Sequence, residues 1–236
     1  MKKLNTYISH VKTLHSLNEF IKESFNFRIN RDSAKFQEKI PNSPEELKKI
    51  VYKRYTQNKK YLDLTDINVS NLSSFYISGD IGLFDDCNET EIIDVTGWDV
   101  SNIYDMTNMF SALLSLKEIK GLETWDVSNV EELNFVFNAC YGIEKIDLSS
   151  WNISNKLKSM KCSFCHLRVI KEINLTGWDV SGLTQINHSF SHIPQIEEII
   201  GIDNWNVKEL GPSFTASDEF NDKDEKLIPK WFKKYC

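Results

Sequence analysis

Thr124-Trp125-Asp126-Val127-Ser128-Asn129 is one copy of a short motif that returns along the chain at an almost constant interval. A decayed earlier copy reads Ile67-Asn68-Val69-Ser70-Asn71. A fixed period of this length is the signature of stacked repeats, so the motif predicts a repeat solenoid of about five coils. The motif tryptophans are spaced by 27, 26, 27 and 27 residues, at Trp98, Trp125, Trp151, Trp178 and Trp205.

A second series of apolar residues repeats between the tryptophans. A Phe follows each of the first four about a dozen residues later, and apolar residues follow the Phe at steps of three, as in Phe137, Cys140, Ile143 and Ile146. Met106, four residues before Phe110, has the spacing of one face of a short helix. Alternation in Ile146-Asp147-Leu148 predicts a short strand. Each coil is therefore predicted to combine a short strand with a short helix, which makes the fold an α/β repeat solenoid.

Stacking gives the repeated positions their expected roles. A coil of this length buries too little apolar surface alone, so like positions of neighbouring coils must contact one another. The tryptophans are then core residues and not a platform for sugars or bases. The acidic residues beside them mark solvated bends, and the asparagines that follow are expected to satisfy backbone groups at those bends. The acidic positions are Asp99, Asp126 and Asp179, and the amide positions are Asn71, Asn102, Asn129 and Asn155.

The stretch from Phe137 to Ile146, continued by Asp147-Leu148-Ser149-Ser150-Trp151-Asn152-Ile153-Ser154, resembles the BspA-like leucine-rich repeat family. The resemblance covers roughly residues 62–210 and implies leucine-rich-repeat-like coils. Family members are often bacterial surface proteins with export signals and anchors, proposed to bind host or neighbouring proteins. The chain departs from them because no export signal or anchor is readable, so the resemblance implies a binding scaffold but not surface adhesion.

Three segments are predicted along the chain. Residues 1–60 form a basic helical segment that includes an α-helical N-terminal cap, residues 61–212 form the solenoid, and residues 213–236 form an acidic loop and a C-terminal cap. Apolar spacing predicts a helix over residues 4–24. Ser43-Pro44-Glu45-Glu46 predicts a second helix to about Gln57, with Ser43 as N-cap and Glu46 in a capping box. Residues 227–232 are expected to close the last coil.

Charge is divided between these segments. Residues 1–60 hold 14 Lys and Arg against 6 Asp and Glu, whereas residues 61–236 hold 14 against 28. A basic segment can bind nucleic acid, but the same pattern is expected if its helix faces are solvated or if it docks on the acidic remainder of its own chain. No apolar run is long enough for a membrane span. Five scattered cysteines and no readable export signal predict a cytoplasmic protein.

Few residues suggest chemistry. Cys162-Ser163-Phe164-Cys165-His166 has the letters of a covalent haem site, which requires export and is not favoured here. Cys162 and His166 flank Phe164 as His188 and His192 flank Phe190, so these four side chains are a candidate zinc site on neighbouring helices. Cys87 and Cys140 occupy an apolar position and are expected to be inert core residues. No catalytic motif is readable, and no cofactor, metal or catalytic residue is assigned.

These observations predict a non-enzymatic protein-binding scaffold, such as a bacterial or phage-encoded inhibitor of host defence. Two alternatives stay open. The chain could be a structural protein of a phage particle or its assembly, or it could bind nucleic acid through residues 1–60. The acidic solenoid argues against nucleic acid, and fold alone does not choose among these functions.

Overall fold

The computed structural model describes residues 39–208, 210 and 228–232. Helix α1 runs from Pro44 to Gln57, as predicted. Ser43 Oγ accepts the amide of Glu46 at 3.3 Å, which satisfies one free N–H of the first turn. The Glu46 carboxylate accepts the amide of Asn42 at 2.9 Å, one residue before the position that a capping box uses. The predicted helix over 4–24 and the acidic loop at 213–226 lie outside the described residues.

Six strands of three residues each follow α1, one per coil. Within each sheet the strands pair in parallel and in register, so that Ile93 lies beside Leu62 and Ile119. The structure thus confirms the predicted repeat solenoid and its short strands. The strands are β1 (Tyr61–Asp63), β2 (Ile92–Asp94), β3 (Glu118–Lys120), β4 (Lys145–Asp147), β5 (Glu172–Asn174) and β6 (Glu198–Ile200).

The prediction of a short helix on each coil is wrong. The stretch around Met106 and Phe110 is a run of tight turns in which Asn108 and Ala112 have positive φ, at 59° and 60°. An α-helix cannot contain such residues, because its N–H groups must all bond four residues back along a right-handed path. Here the amide of Met109 bonds three residues back, to Met106 O at 3.1 Å. Residues four apart share a face because the turns repeat every four residues.

Alternate amides of these turns bond to the next coil. Met106 N donates to Glu132 O at 2.9 Å and Phe110 N to Val136 O at 2.9 Å. Each left-handed residue costs roughly 1–2 kcal/mol, and each added hydrogen bond returns about 0.5–1.5 kcal/mol. This turn side comprises residues 105–113, 132–140, 159–167 and 185–193. Its positive-φ residues after the first coil are Asn108, Ala112, Phe135, Ala139, Cys162, His166, His188 and His192.

Two aromatic columns fill the core. Neighbouring tryptophan rings lie 6.0 to 6.4 Å apart, and Trp231 from the C-terminal segment continues the column, 6.1 Å from Trp205. Phenylalanine rings from Phe84 to Phe190 form the second column at 5.4 to 5.7 Å. The tryptophans are buried, as expected of core residues. Leu47, Val51 and Tyr55 of α1 belong to the same core.

The asparagine positions act at the bends, as predicted for two coils. Asn102 Nδ2 donates to Ser70 O at 3.1 Å, and Asn129 Nδ2 donates to Ser101 O at 2.7 Å. In the next coil Ser154 Oγ makes the equivalent bond to Ser128 O. Gly182 takes the asparagine position one coil later. A Cβ there would lie 1.9 Å from the carbonyl oxygen of Asn155.

Candidate binding surface

The strand face carries a charge ladder of alternating sign. Its members are the residues that directly precede the six strands, Lys60, Glu91, Lys117, Glu144, Lys171 and Glu197. Glu91 pairs with Lys60 at 2.8 Å and with Lys117 at 2.7 Å. Hydrogen bonds from Lys117 and then Lys60 lower the pKa of Glu91 to about 2. Neighbouring coils thus alternate in charge, which favours one stacking order over a slipped one.

The ladder of strands is interrupted in the middle of the solenoid. Among the described residues, β1, β2 and β3 form one sheet and β4, β5 and β6 form another, with no pairing between β3 and β4. The turn side continues across the same junction, because Met106 and Phe110 bond to the coil of β4. The two halves are therefore stacked normally on one side and separated on the other.

Local chemistry after β3 explains the interruption. In four other coils the residue that follows the strand donates its amide to the next strand, as Val95 N does to Lys120 O at 3.0 Å. Gly121 takes this position after β3, and its amide donates to the Glu123 carboxylate at 3.2 Å. Gly121 has φ 97° and is the N-cap of a 3-10 helix, Leu122–Thr124. Glu123 thus takes the donor that would have extended the sheet.

A cleft of about 330 Å³ opens where β3 and β4 separate. Its apolar lining consists of Ile119, Leu122, Phe137, Ile143 and Ile146, and its polar lining of Lys117, Glu118, Glu123, Lys145, Asp147, Ser149 and Ser150. Ile119 is only partly buried, whereas Ile93 and Ile173 in the same row are fully buried. The separation therefore exposes part of Ile119, whereas the other apolar side chains of the lining stay buried.

A second cavity, of about 600 Å³, lies on the same face toward β6. It shares Lys145 with the cleft but is more polar, with Lys171, Glu172, Glu197, Glu198 and Asp203 in its lining. Lys145 pairs with Glu172 at 3.2 Å, between the two cavities. The strand face from β3 to β6 thus carries two neighbouring cavities, of which the second is the more charged.

The described part of the basic segment is paired with the first coils. Arg54 makes two hydrogen bonds to Asp66, at 2.9 and 2.7 Å, and Lys48 contacts Asp85 at 3.2 Å. Lys59 pairs with Glu89 at 2.6 Å. This is the arrangement expected if the segment docks on its own acidic solenoid. These three basic side chains are paired within the chain, which leaves less positive charge for a nucleic-acid backbone.

The acidic positions beside the tryptophans are structural. Asp99 and Asp126 each accept the amide of the serine two residues on, at 3.1 and 3.0 Å. Hydrogen bonds from the Ser101 side chain and backbone lower the pKa of Asp99. Each carboxylate closes a turn at an exposed bend, as predicted.

The four candidate zinc ligands lie at positive-φ positions of two neighbouring coils and not on helices. The rings of His166 and His192 stack at 4.6 Å with an interplanar angle of 9°. A metal lies near the plane of each imidazole that binds it, and two parallel planes share no such point. Within the described chain no three His, Cys, Asp or Glu side chains are placed to hold a metal ion. The structure therefore pairs two of the four residues without assembling a ligand set.

Cysteine environments differ sharply. Cys87 and Cys140 are fully buried, and desolvation raises the pKa of each thiol to about 12, which fits the predicted role as inert core residues. Cys162 is half-buried, and a hydrogen bond from the Cys165 thiol lowers its pKa. Cys165 is 1% exposed, with its sulfur 3.3 Å from His166 Nδ1 and 3.1 Å from Asn138 Oδ1. Among the four cysteines that the structure describes, only the Cys162 and Cys165 pair has the surroundings of reactive thiols.

Sequence reasoning missed the cleft, although a signal was present. One extra residue separates β3 from Trp125, and the same insertion separates β6 from Trp205. Both insertions form a Gly followed by a 3-10 helix. Trp125 and Trp205 are also the two buried indoles whose Nε1 finds no partner among the described residues, whereas Trp151 Nε1 donates to Leu122 O at 3.1 Å. The departures from the repeat therefore mark the places where the coil geometry changes.

Comparison with known proteins gives one match. A family model described as "Mycoplasma protein of unknown function, DUF285" matches residues 81–205 and 158–231. The two matches together span the tryptophan column through Trp231. No curated protein and no solved structure matches. No helix in residues 39–208, 210 and 228–232 is both long and apolar enough to cross a membrane.

Proposed function

We propose, starting from the fact that the chain belongs to the DUF285 family of Mycoplasma proteins, that it is a non-enzymatic protein-binding scaffold. The partner supplies an extended segment that lies in the cleft between β3 and β4. The observation that carries this proposal is the interrupted sheet, because strands without a neighbour are a template for another chain.

Main-chain groups supply the first contribution to binding. Elsewhere the residue before a strand donates to the preceding coil, as Lys171 N does to Glu144 O at 2.8 Å. No equivalent strand pairing joins β4 to β3 in the described chain. An extended segment of a partner can bond to these edges whatever its sequence. Specificity must then come from the side chains that line the cleft.

The lining of the cleft indicates the chemistry of the partner segment. Ile119, Ile143 and Ile146 form an apolar floor, which favours an aliphatic or aromatic side chain pointing into the cleft. Glu118 and Lys145 on the rim have opposite charges, so flanking residues of both signs fit. A cleft of about 330 Å³ is at the small end of ligand sites, which suits one anchoring side chain.

Two further features support a scaffold. The resemblance to BspA-like leucine-rich repeats implies a binding role, and we carry that role, but not surface adhesion, over to this chain. We also assign α1 as an N-terminal cap, because its apolar face is buried in the repeat core and its Lys48 and Arg54 pair with the first coils. In a solenoid capped in this way, the cleft is a recess beside the core where two strands do not pair.

The two other expectations remain predictions. Nothing in the described residues favours a role in a phage particle. Nucleic-acid binding is less favoured because four basic side chains pair with acidic residues of the same chain. They are Lys48, Arg54, Lys59 and Lys60.

The test compares three tagged chains in affinity purification from the native host at low and high salt. The wild type is compared with Glu118→Lys/Lys145→Glu, which reverses the rim without changing net charge, and with Lys156→Glu, an exposed change outside the cleft. We expect one protein to be retained at high salt by the wild type and the control and lost at least about tenfold by the rim variant, a difference of roughly 1.4 kcal/mol.

Two results would contradict the proposal. Equal retention of the partner by all three chains would exclude the cleft as its binding site. Recovery of nucleic acid alone, lost at high salt, would exclude a protein-binding scaffold.

A further inference from the structure

Cys162 and Cys165 lie at the two ends of one tight turn on the turn side. The amide of Cys165 donates to the carbonyl of Cys162 at 3.3 Å, which closes the turn. Such a turn holds its first and last α-carbons within about 7 Å, and a disulfide requires about 4.4–6.8 Å. The Cys165 thiol donates to Asn138 Oδ1 at 3.1 Å. The backbone therefore brings the two sulfurs together without a large movement.

The two thiols differ in access to solvent. Cys162 is half-buried at a positive-φ position, φ 50°, at the surface of the coil. Cys165 is 1% exposed and lies against Asn138 of the preceding coil. A reagent from solution can reach the first sulfur but not the second. This asymmetry separates an attacking thiol from a resolving thiol.

An imidazole is placed to take the second proton. His166 Nδ1 lies 3.3 Å from the Cys165 sulfur. The pKa of His166 is lowered, first by desolvation and then by His192, Arg168 and His188, so the ring is neutral near pH 7. A neutral imidazole can accept a proton from the buried thiol, and its stacking on His192 fixes its orientation.

We propose that Cys162 and Cys165 form a dithiol site that exchanges with small disulfides in solution. The Cys162 thiolate attacks one sulfur of the disulfide, forms a mixed disulfide and releases one thiolate. Cys165 loses its proton to His166, attacks the Cys162 sulfur and releases the second thiolate. The dithiol is oxidised to an intramolecular disulfide, and one small disulfide is reduced to two thiols. The site is independent of the cleft, which lies on the strand face.

The test uses the full chain with Cys236→Ser, so that this additional cysteine cannot form disulfides between chains. The protein is incubated with oxidised glutathione, alkylated with iodoacetamide under denaturing conditions and analysed by peptide mass spectrometry. We expect a disulfide between Cys162 and Cys165, while Cys87 and Cys140 remain available for alkylation. The buried pair is a matched internal control, because its thiols have raised pKa values and no access to the reagent.

Three variants separate the steps. Cys165→Ser should stop the reaction at a glutathione adduct on Cys162. In Cys162→Ser, a glutathione adduct on the buried Cys165 should form at least about tenfold more slowly than the adduct on Cys162 forms in Cys165→Ser. His166→Gln should leave the first adduct unchanged but slow closure of the disulfide. The proposal is overturned if the wild type accumulates only the mixed disulfide, or if Cys87 and Cys140 react as fast as Cys162. Those two readouts need no change at residues 162 to 166, so they hold even if a variant does not fold.

Discussion

The turn side and the strand face join the same coils by different means. On the turn side, backbone bonds such as Phe110 N to Val136 O and Phe137 N to Ser163 O join each of its four stretches, from residues 105–113 to residues 185–193, to the next. On the strand face, pairing stops between β3 and β4. The continuous side carries residues with strained backbone, whereas the interrupted side uses ordinary strands. The comparison teaches that the turns and aromatic columns hold this solenoid together, which leaves its sheet free to open.

The strongest test of this comparison removes a ring that spans the opening. Trp151 stacks on Trp125 at 6.0 Å and on Trp178 at 6.2 Å. Trp151→Ala should lower the free energy of unfolding by about 3–5 kcal/mol, because it leaves a large cavity in the column. Urea denaturation measures the loss, with the exposed Tyr104→Ala as a control expected within about 0.5 kcal/mol.

The shape of the same curve is also informative. If the aromatic columns couple the two halves, the wild type unfolds in one transition. Two separate transitions would show that the gap between β3 and β4 divides the molecule, contrary to the comparison.

A second prediction concerns the glycine at which the sheet ends. Gly121 has φ 97°, and a Cβ there would lie 2.5 Å from Thr96 N. Gly121→Ala should cost about 2–4 kcal/mol from backbone strain and the clash together. Gly97→Ala is the matched control, because Gly97 has φ 87° with nothing within 4 Å of its Cβ, and it should cost only about 1–2 kcal/mol. Equal melting temperatures for the two variants would mean that close packing under Thr96 is unimportant.

Hydrogen exchange compares the two sides directly. The amides of Glu144 and Lys145 face the gap, whereas Lys171 N bonds to Glu144 O at 2.8 Å. We expect the first two amides to exchange at least about a hundredfold faster than Lys171. The amides of Phe110 and Phe137, on the turn side, should be protected to the same extent as each other. Strong protection at Lys145 would indicate that β3 and β4 pair in solution.

The smallest effect is expected in the charge ladder. Glu91 has its pKa lowered to about 2 by Lys117 and Lys60, from an ordinary value of 4.5. Its contribution to stability is therefore present above pH 4.5 and is lost as the pH falls from 4.5 toward 2. Glu91→Gln should reduce the difference between urea midpoints measured at pH 6 and pH 3. The change is small because the pairs are exposed, and an unchanged difference would mean that the ladder adds no stability.

Much of the fold follows from the repeat pattern. The interval between tryptophans predicts the solenoid, and the Phe series predicts which residues are buried, as Phe137, Ile143 and Ile146 show. The same spacing led to the wrong prediction of short helices. A residue four positions on returns to the same face in a helix and also in a run of tight turns, so burial alone cannot separate them. Bonds to the next coil decide the outcome, and those are not visible within one repeat.

The candidate sites were less predictable. The stretch from Cys162 to His166 was noticed for its haem-like letters and for zinc, but only the fold places His166 against His192 and leaves Cys165 buried beneath Cys162. The cleft depends on which acceptor the Gly121 amide binds. This amide donates to the Glu123 carboxylate and not to β4. The extra residue between β3 and Trp125 marks the place in the sequence, but it does not show which acceptor the Gly121 amide binds.

The sequence by itself therefore determined the period, the core positions and helix α1, because these depend on residue type and spacing. Tertiary structure decided the backbone path of the turns, the interruption of the sheet and the environment of each cysteine. These features depend on which of several possible partners in neighbouring coils each polar group binds. That choice is made only when the coils stack.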